Sequence, residues 1–141
     1  MGRRSKAREC AFQILYQWQI TGEPMSAVVD GFWRVRSGTP EAKQMAERLA
    51  RGAQAQAEAL DRQIAEAATH WRLDRIAAVD RTILRLGAYE LGAETQTPAA
   101  VVLDEAVELA KRFGEEDSPS FVNGVLDAIR RRVRGEAETR P

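Results

Sequence analysis

Four cations, Arg3, Arg4, Lys6 and Arg8, open the chain with no acid among them, just ahead of a run with helical spacing. Positive charge at a helix start opposes the macrodipole, at a cost of about 0.3–1 kcal/mol per charge. Phosphate oxygens reverse that sign, because the same helix start offers free backbone N–H groups beside the guanidinium forks. Phosphate binding is therefore the chemistry this cluster suits, with a merely solvated helix start as the other reading. Phe121 is a second candidate. It falls off the apolar stripe of its own helix, so its ring either stacks on an unpaired base, for about 1–3 kcal/mol, or packs on the preceding loop.

A third feature lies in the first helix itself. Ala7, Cys10, Ala11, Ile14, Leu15 and Trp18 recur at the spacing of one helical face, which is the core face. Phe12, Tyr16 and Ile20 make a second apolar stripe on roughly the opposite side. That stripe either covers a partner or buries against the second half of the same chain.

Catalytic arrangements are missing. The single histidine, His70, stands beside Trp71 at the end of a helical run, where capping or packing explains it. The single cysteine, Cys10, lies in the core stripe as a small hydrophobe and has no disulfide mate. There is no glycine-rich phosphate loop, nucleophile elbow or metal-ligand spacing. The chain reads as a binding protein, not an enzyme, with no cofactor and no metal.

These residues must be positioned by helices. Over 141 residues, with 30% charged and 44% hydrophobic, the chain has the size and composition of one globular domain. No apolar run approaches the roughly 20 residues of a membrane span, and no signal peptide is evident, so a cytoplasmic setting without membrane contact is expected. Net charge is zero, yet the start is basic while six acids between Asp104 and Asp117 face only Lys111 and Arg112.

Alternating β-branched patterns are absent, which predicts an all-α fold. Gly22 stops the first helix; a second runs from Pro24 to about Arg36, and Thr39-Pro40 opens a long third that reaches Trp71. After residue 78, Val79, Ile83, Leu84, Leu86, Gly87 and Leu91 line a fourth helix. Thr97 caps a fifth, with Val102, Ala106, Leu109, Ala110 and Phe113 buried, and Gly114 ends it. Ser118-Pro119 opens the last, with Val122, Val125, Leu126, Ile129 and Val133 inside. Arg130, Arg131, Arg132 and Arg134 lie at its carboxyl end, where positive charge is favourable and a structural role suffices. The expected architecture is two packed three-helix bundles in a single domain, 1–141, with halves of about 1–72 and 73–134 and a frayed tail at 135–141.

Three stretches carry a family resemblance: Arg3-Arg4-Ser5-Lys6-Ala7-Arg8-Glu9-Cys10-Ala11 with Gln13-Ile14-Leu15-Tyr16-Gln17-Trp18, Asp80-Arg81-Thr82-Ile83-Leu84-Arg85-Leu86-Gly87-Ala88-Tyr89-Glu90-Leu91, and Asp104 to Gly114 continuing through Asp117-Ser118 to Phe121-Val122-Asn123-Gly124-Val125-Leu126-Asp127. In order and spacing the chain resembles, over nearly its whole length, the bacterial transcription antitermination factors of the NusB family. The resemblance implies an all-helical pair of three-helix bundles. It implies a factor that binds the single-stranded boxA element of ribosomal RNA leaders, as a heterodimer with the ribosomal protein that doubles as NusE. The pair would join RNA polymerase with NusA and NusG.

Carried over by position, Arg3, Arg4, Lys6 and Arg8 match the RNA-binding basic motif, and Phe121 matches an aromatic near the RNA. Phe12, Tyr16 and Ile20 fall to the NusE-type partner, with Asp80 in the same region and Asp117 matching an acidic loop residue linked to antitermination. Two positions depart from the pattern: Asp104 stands where many members have asparagine, and Ser120 where a basic residue often precedes the aromatic. Other readings are a protein-only helical adaptor, or a domain related to that of ribosomal RNA cytosine methyltransferases. Whether the free chain is a monomer or a homodimer is left open by the sequence.

Overall fold

Gly2 precedes α1 (Arg3–Thr21) without a side-chain cap, and Gly22 closes it at φ 72° with its N–H donating to the Trp18 carbonyl. Glycine takes this left-handed conformation without steric cost, which is why the helix stops there. The structure, a computed structural model, describes residues 2–135; the expected frayed tail beyond Gly135 lies outside the described residues. After α1 come α2 (Met25–Val35), α3 (Pro40–Ala55), α4 (Ala57–Ala67), a 3₁₀ turn at Leu73–Arg75, α5 (Ala78–Ala93), α6 (Ala99–Phe113) and α7 (Ser118–Arg134). The described residues form no strand, and no helix among them is long and apolar enough to cross a membrane.

The fold is two helical bundles that share α1. It packs against α2 and α3 on one side and against α5 and α6 on the other, while α5, α6 and α7 pack on one another. Ile14, Leu15, Leu84, Leu86 and Leu126 are almost wholly buried along this junction, each stabilising the fold by about 1.5–3 kcal/mol. Thr39 caps α3 as expected, its hydroxyl accepting from the Ala42 N–H ahead of Pro40.

The long helix expected from Pro40 to Trp71 is broken. Gln56 leaves helical geometry at φ −105° and ψ 16°, although its N–H still reaches the Gly52 carbonyl at 3.2 Å. Beyond the break α4 lies against α5 and α7, so it joins the carboxy-terminal bundle instead of continuing α3. Gly52 shows how the neighbouring bundle meets this turn: a Cβ there would stand 2.1 Å from Cζ of Tyr89 on α5. Gly52→Ala is expected to cost about 1–3 kcal/mol by overpacking, read as a lower urea midpoint at unchanged slope. An unchanged midpoint would mean that the Tyr89 ring swings aside freely.

Other expectations change in detail. Trp71 is 54% exposed and Val133 42% exposed, because α4 ends at Ala67 and the last turn of α7 runs past the core. Cys10, Trp18 and Val79 only flank the core. Thr97 does not cap α6, which begins at Ala99 behind Pro98. Instead the Thr97 carbonyl accepts from Arg134 Nη1 at 2.6 Å, and the same guanidinium reaches the carbonyls of Leu91 at 3.0 Å and Glu94 at 3.1 Å. Arg134 thereby takes the Leu91 carbonyl in the last turn of α5 together with carbonyls of the connection that follows.

Candidate nucleic-acid and partner surfaces

The first turn of α1 holds no acid and lacks a side-chain cap, so its positive end is uncompensated. Arg3, Arg4 and Lys6 are exposed there. They do not point one way. Arg4 lines a concavity with Arg48 and residues 93–97, toward the α5–α6 connection, whereas Arg3 and Lys6 border a groove toward the α2–α3 connection.

Arg8 departs from these three and corrects the expectation of a four-residue exposed cluster. It is 3% exposed. Its Nε donates to both carboxylate oxygens of Glu90, at 3.0 and 3.1 Å, and Nη2 adds a 3.0 Å charge contact outside hydrogen-bonding angle. Glu105 adds a second carboxylate 3.7 Å from Nη1. Two carboxylates and a buried fork leave Arg8 inaccessible to phosphate, and its role here is to join α1 to α5 and α6. Burial raises the Glu90 carboxyl above its ordinary pKa, with the Arg8 hydrogen bond and charge pulling the other way. The next residue repeats the theme, since Glu9 is held by Arg112 and lies 3.8 Å from Arg36.

The second apolar stripe also divides. Phe12 is 3% exposed and packs on Phe113, with ring centroids 5.0 Å apart, so it belongs to the core and not to a partner surface. Tyr16 is half-buried and stacks on Phe12 at 6.0 Å. Ile20 is 57% exposed. Gln19 donates to the Ala78 carbonyl at 3.3 Å, which ties the end of α1 to the first turn of α5, where Asp80 lies.

Asp80, Asp117 and Phe121 come together in a concavity of about 180 Å³ with Trp71, Arg75 and Glu115. Asp80 is 8% exposed, more enclosed than a residue offered directly to a partner. Burial raises its carboxyl pKa, the negative charges of Asp117 and Glu115 add to that, and a hydrogen bond from Ser118 opposes it. Phe121 is half-buried and meets Trp71 edge to face, with centroids 6.1 Å apart and planes at 74°. The ring therefore packs on Trp71 and at the same time lines the concavity.

Trp71 is the residue that helical spacing concealed. Spacing puts it on the core side of a helix that in fact ends four residues earlier, and an exposed indole beside a 3₁₀ turn leaves no periodic signal. Gln19, Arg8 and their partners put the basic start and the Trp71–Phe121 pair toward opposite ends of α1, a helix about 28 Å long at 1.5 Å per residue. Among the described residues no His, Cys, Asp and Glu group is arranged to hold a metal ion.

A NusB family model matches residues 5–131. The transcription antitermination protein NusB of Sorangium cellulosum is 50% identical over 129 residues, covering 92% of each chain. That of Symbiobacterium thermophilum is 43% identical over 142 residues, covering 95% of this chain and 93% of the relative. Among solved structures, T. maritima NusB superposes with a TM-score of 0.86 at 33% identity, covering 99% of this chain and 97% of that one. The antitermination factors NusB and NusE in complex with dsRNA include a chain with a TM-score of 0.86 at 31% identity, covering 94% of this chain and 98% of that one.

Proposed function

The chain belongs to the NusB family of transcription antitermination proteins, and from that premise we propose that it binds boxA-type single-stranded RNA of ribosomal RNA leaders as a heterodimer with the NusE ribosomal protein. It acts as an adaptor without catalysis, and the heterodimer on RNA would then meet NusA, NusG and RNA polymerase. The observation that carries the RNA reading is the uncompensated start of α1, where Arg3, Arg4 and Lys6 are exposed and no acid or side-chain cap answers the helix dipole. The Trp71–Phe121 pair supports a single strand over a duplex, because unpaired bases offer faces to aromatic rings and paired bases do not.

Phosphate contacts release counterions, so three of them on a single strand give a slope of roughly −2 in log affinity against log salt. Replacing Arg3, Arg4 and Lys6 together by alanine is expected to flatten that slope toward zero and to weaken binding of a boxA-like single strand. The melting temperature should stay unchanged, because none of the three takes part in an ion pair with a described residue. Fluorescence titration at several salt concentrations reads both quantities, with a duplex of the same sequence as competitor. Wild-type affinity in the triple variant would remove the assignment, and preference for the duplex would remove the stacking role of Trp71 and Phe121.

The partner surface follows from charge and exposure. Ile20 and the half-buried Tyr16 lie along α1, and Gln19 ties that end of the helix to the turn carrying Asp80. In the concavity beside that turn three acids, Asp80, Glu115 and Asp117, stand against one cation, Arg75. An apolar patch bordered by acids suits a basic partner such as a ribosomal protein.

A further inference from the structure

The groove beside Arg3 and Lys6 has more structure than a solvated helix start needs. It encloses about 450 Å³ between the first turns of α1 and the α2–α3 connection, within the roughly 300–1,000 Å³ range of small-ligand sites. Three cations, Arg3, Lys6 and Arg36, stand around it, and its apolar wall includes Val35, Cys10 and Trp33. Val35, the last residue of α2, is 83% exposed. Arg36 lies over the Phe32 ring at 5.0 Å, so its guanidinium is held at the rim. The indole Nε1 of Trp33 is buried without a hydrogen-bond partner. Glu9 lies 3.8 Å from Arg36 and is shared with Arg112, so it offsets only part of the charge at this rim.

We propose that this groove is a second contact site for the single-stranded RNA, in which an unpaired base lies against Val35 and Cys10 while its phosphates meet Arg3, Lys6 and Arg36. The inference rests on the RNA reading above and extends the strand's path beyond the end of α1. Charge complementarity selects the occupant. A nucleotide presents an apolar face and an anion together, matching an apolar wall rimmed by cations. A second copy of this chain would bring like charge against like, and an apolar peptide would leave Arg3 and Lys6 without counter-charge.

The test uses single-stranded RNAs that contain the boxA-like element and are shortened stepwise from each end, titrated against the full chain and two variants. Val35→Glu puts a negative charge into the groove at a position that supports no core, so its melting temperature should match wild type. For the longer RNAs its affinity is expected to fall by about tenfold or more; for the shortest RNA that still binds, it should not change. Arg36→Ala is expected to lower the salt slope by about 0.7, one phosphate contact, for the longer RNAs only. A local readout is alkylation of Cys10, the only thiol in the chain, which the longer RNAs should slow and the shortest should not.

If both variants bind every RNA as wild type does, while the triple replacement of Arg3, Arg4 and Lys6 is weakened, the groove is overturned and the RNA function stands. If the triple variant also binds as wild type, both fail. Loss of self-association or of acidic-peptide binding in Val35→Glu, with RNA affinity intact, would give the groove to that occupant and overturn the proposal.

Discussion

Arg8→Ala is expected to lower stability by about 3–5 kcal/mol, the cost of removing one partner from a buried ion pair. Both side chains of the Arg8–Glu90 pair are 3% exposed, so solvent does little to screen the charge left behind. The pH dependence has a definite sign. The folded-state pKa of Glu90 is raised by burial, so the native protein holds that proton where the unfolded chain has lost it. Its contribution to stability is present below the ordinary carboxylate range and is lost as pH rises through the raised folded value. Arg8 opposes this rise, and without it the folded value climbs further.

The destabilisation of Arg8→Ala is therefore expected to be largest at neutral pH and to shrink as acid protonates Glu90, as urea unfolding across a pH series would show. Arg8→Lys keeps a charge but not the fork that meets both oxygens, and should fall between. A variant as stable as wild type but weakened for RNA would return Arg8 to the RNA-binding surface.

Ile20→Asp is expected to weaken binding of the NusE-type ribosomal protein by about 30- to 1,000-fold, the range of a hot-spot loss of roughly 2–4 kcal/mol. The substitution puts a carboxylate into an apolar contact that must shed water, close to the acids of the α5 and α7 starts. Because Ile20 is 57% exposed, the free protein should melt as wild type does. That separates it from its stripe mates, since Phe12 is core and Tyr16 stacks on it, and replacing either confuses folding with binding. Isothermal calorimetry with the purified partner decides the matter, and unchanged affinity would move the partner surface off this end of α1.

The helix stops were legible where one residue type does one job. Gly22 supplies a left-handed closure and Thr39 a hydroxyl ahead of proline, and both signals are local. The break at Gln56 was not legible, because the apolar positions on either side fit one uninterrupted stripe; what redirects α4 is its packing on α5 and α7. Arg8 is hidden from its sequence for a related reason. Its charge matches its neighbours at 3, 4 and 6, and the carboxylate that claims it lies 82 positions away. Phe12 and Phe113 meet across a comparable separation, so no local pattern could distinguish a core ring from a partner-facing one. Spacing shows which residues share a face, but not what that face meets.

Arg134 sets the practical limit for shortening this protein. The family match ends at residue 131, so a fragment cut there would look whole by alignment. It would lack the guanidinium that closes the carboxyl end of α5 across to Thr97. Fragments meant for binding work, or tags fused at this end, therefore need to keep the chain at least through Gly135, whose carbonyl also accepts from Arg130 at 3.3 Å.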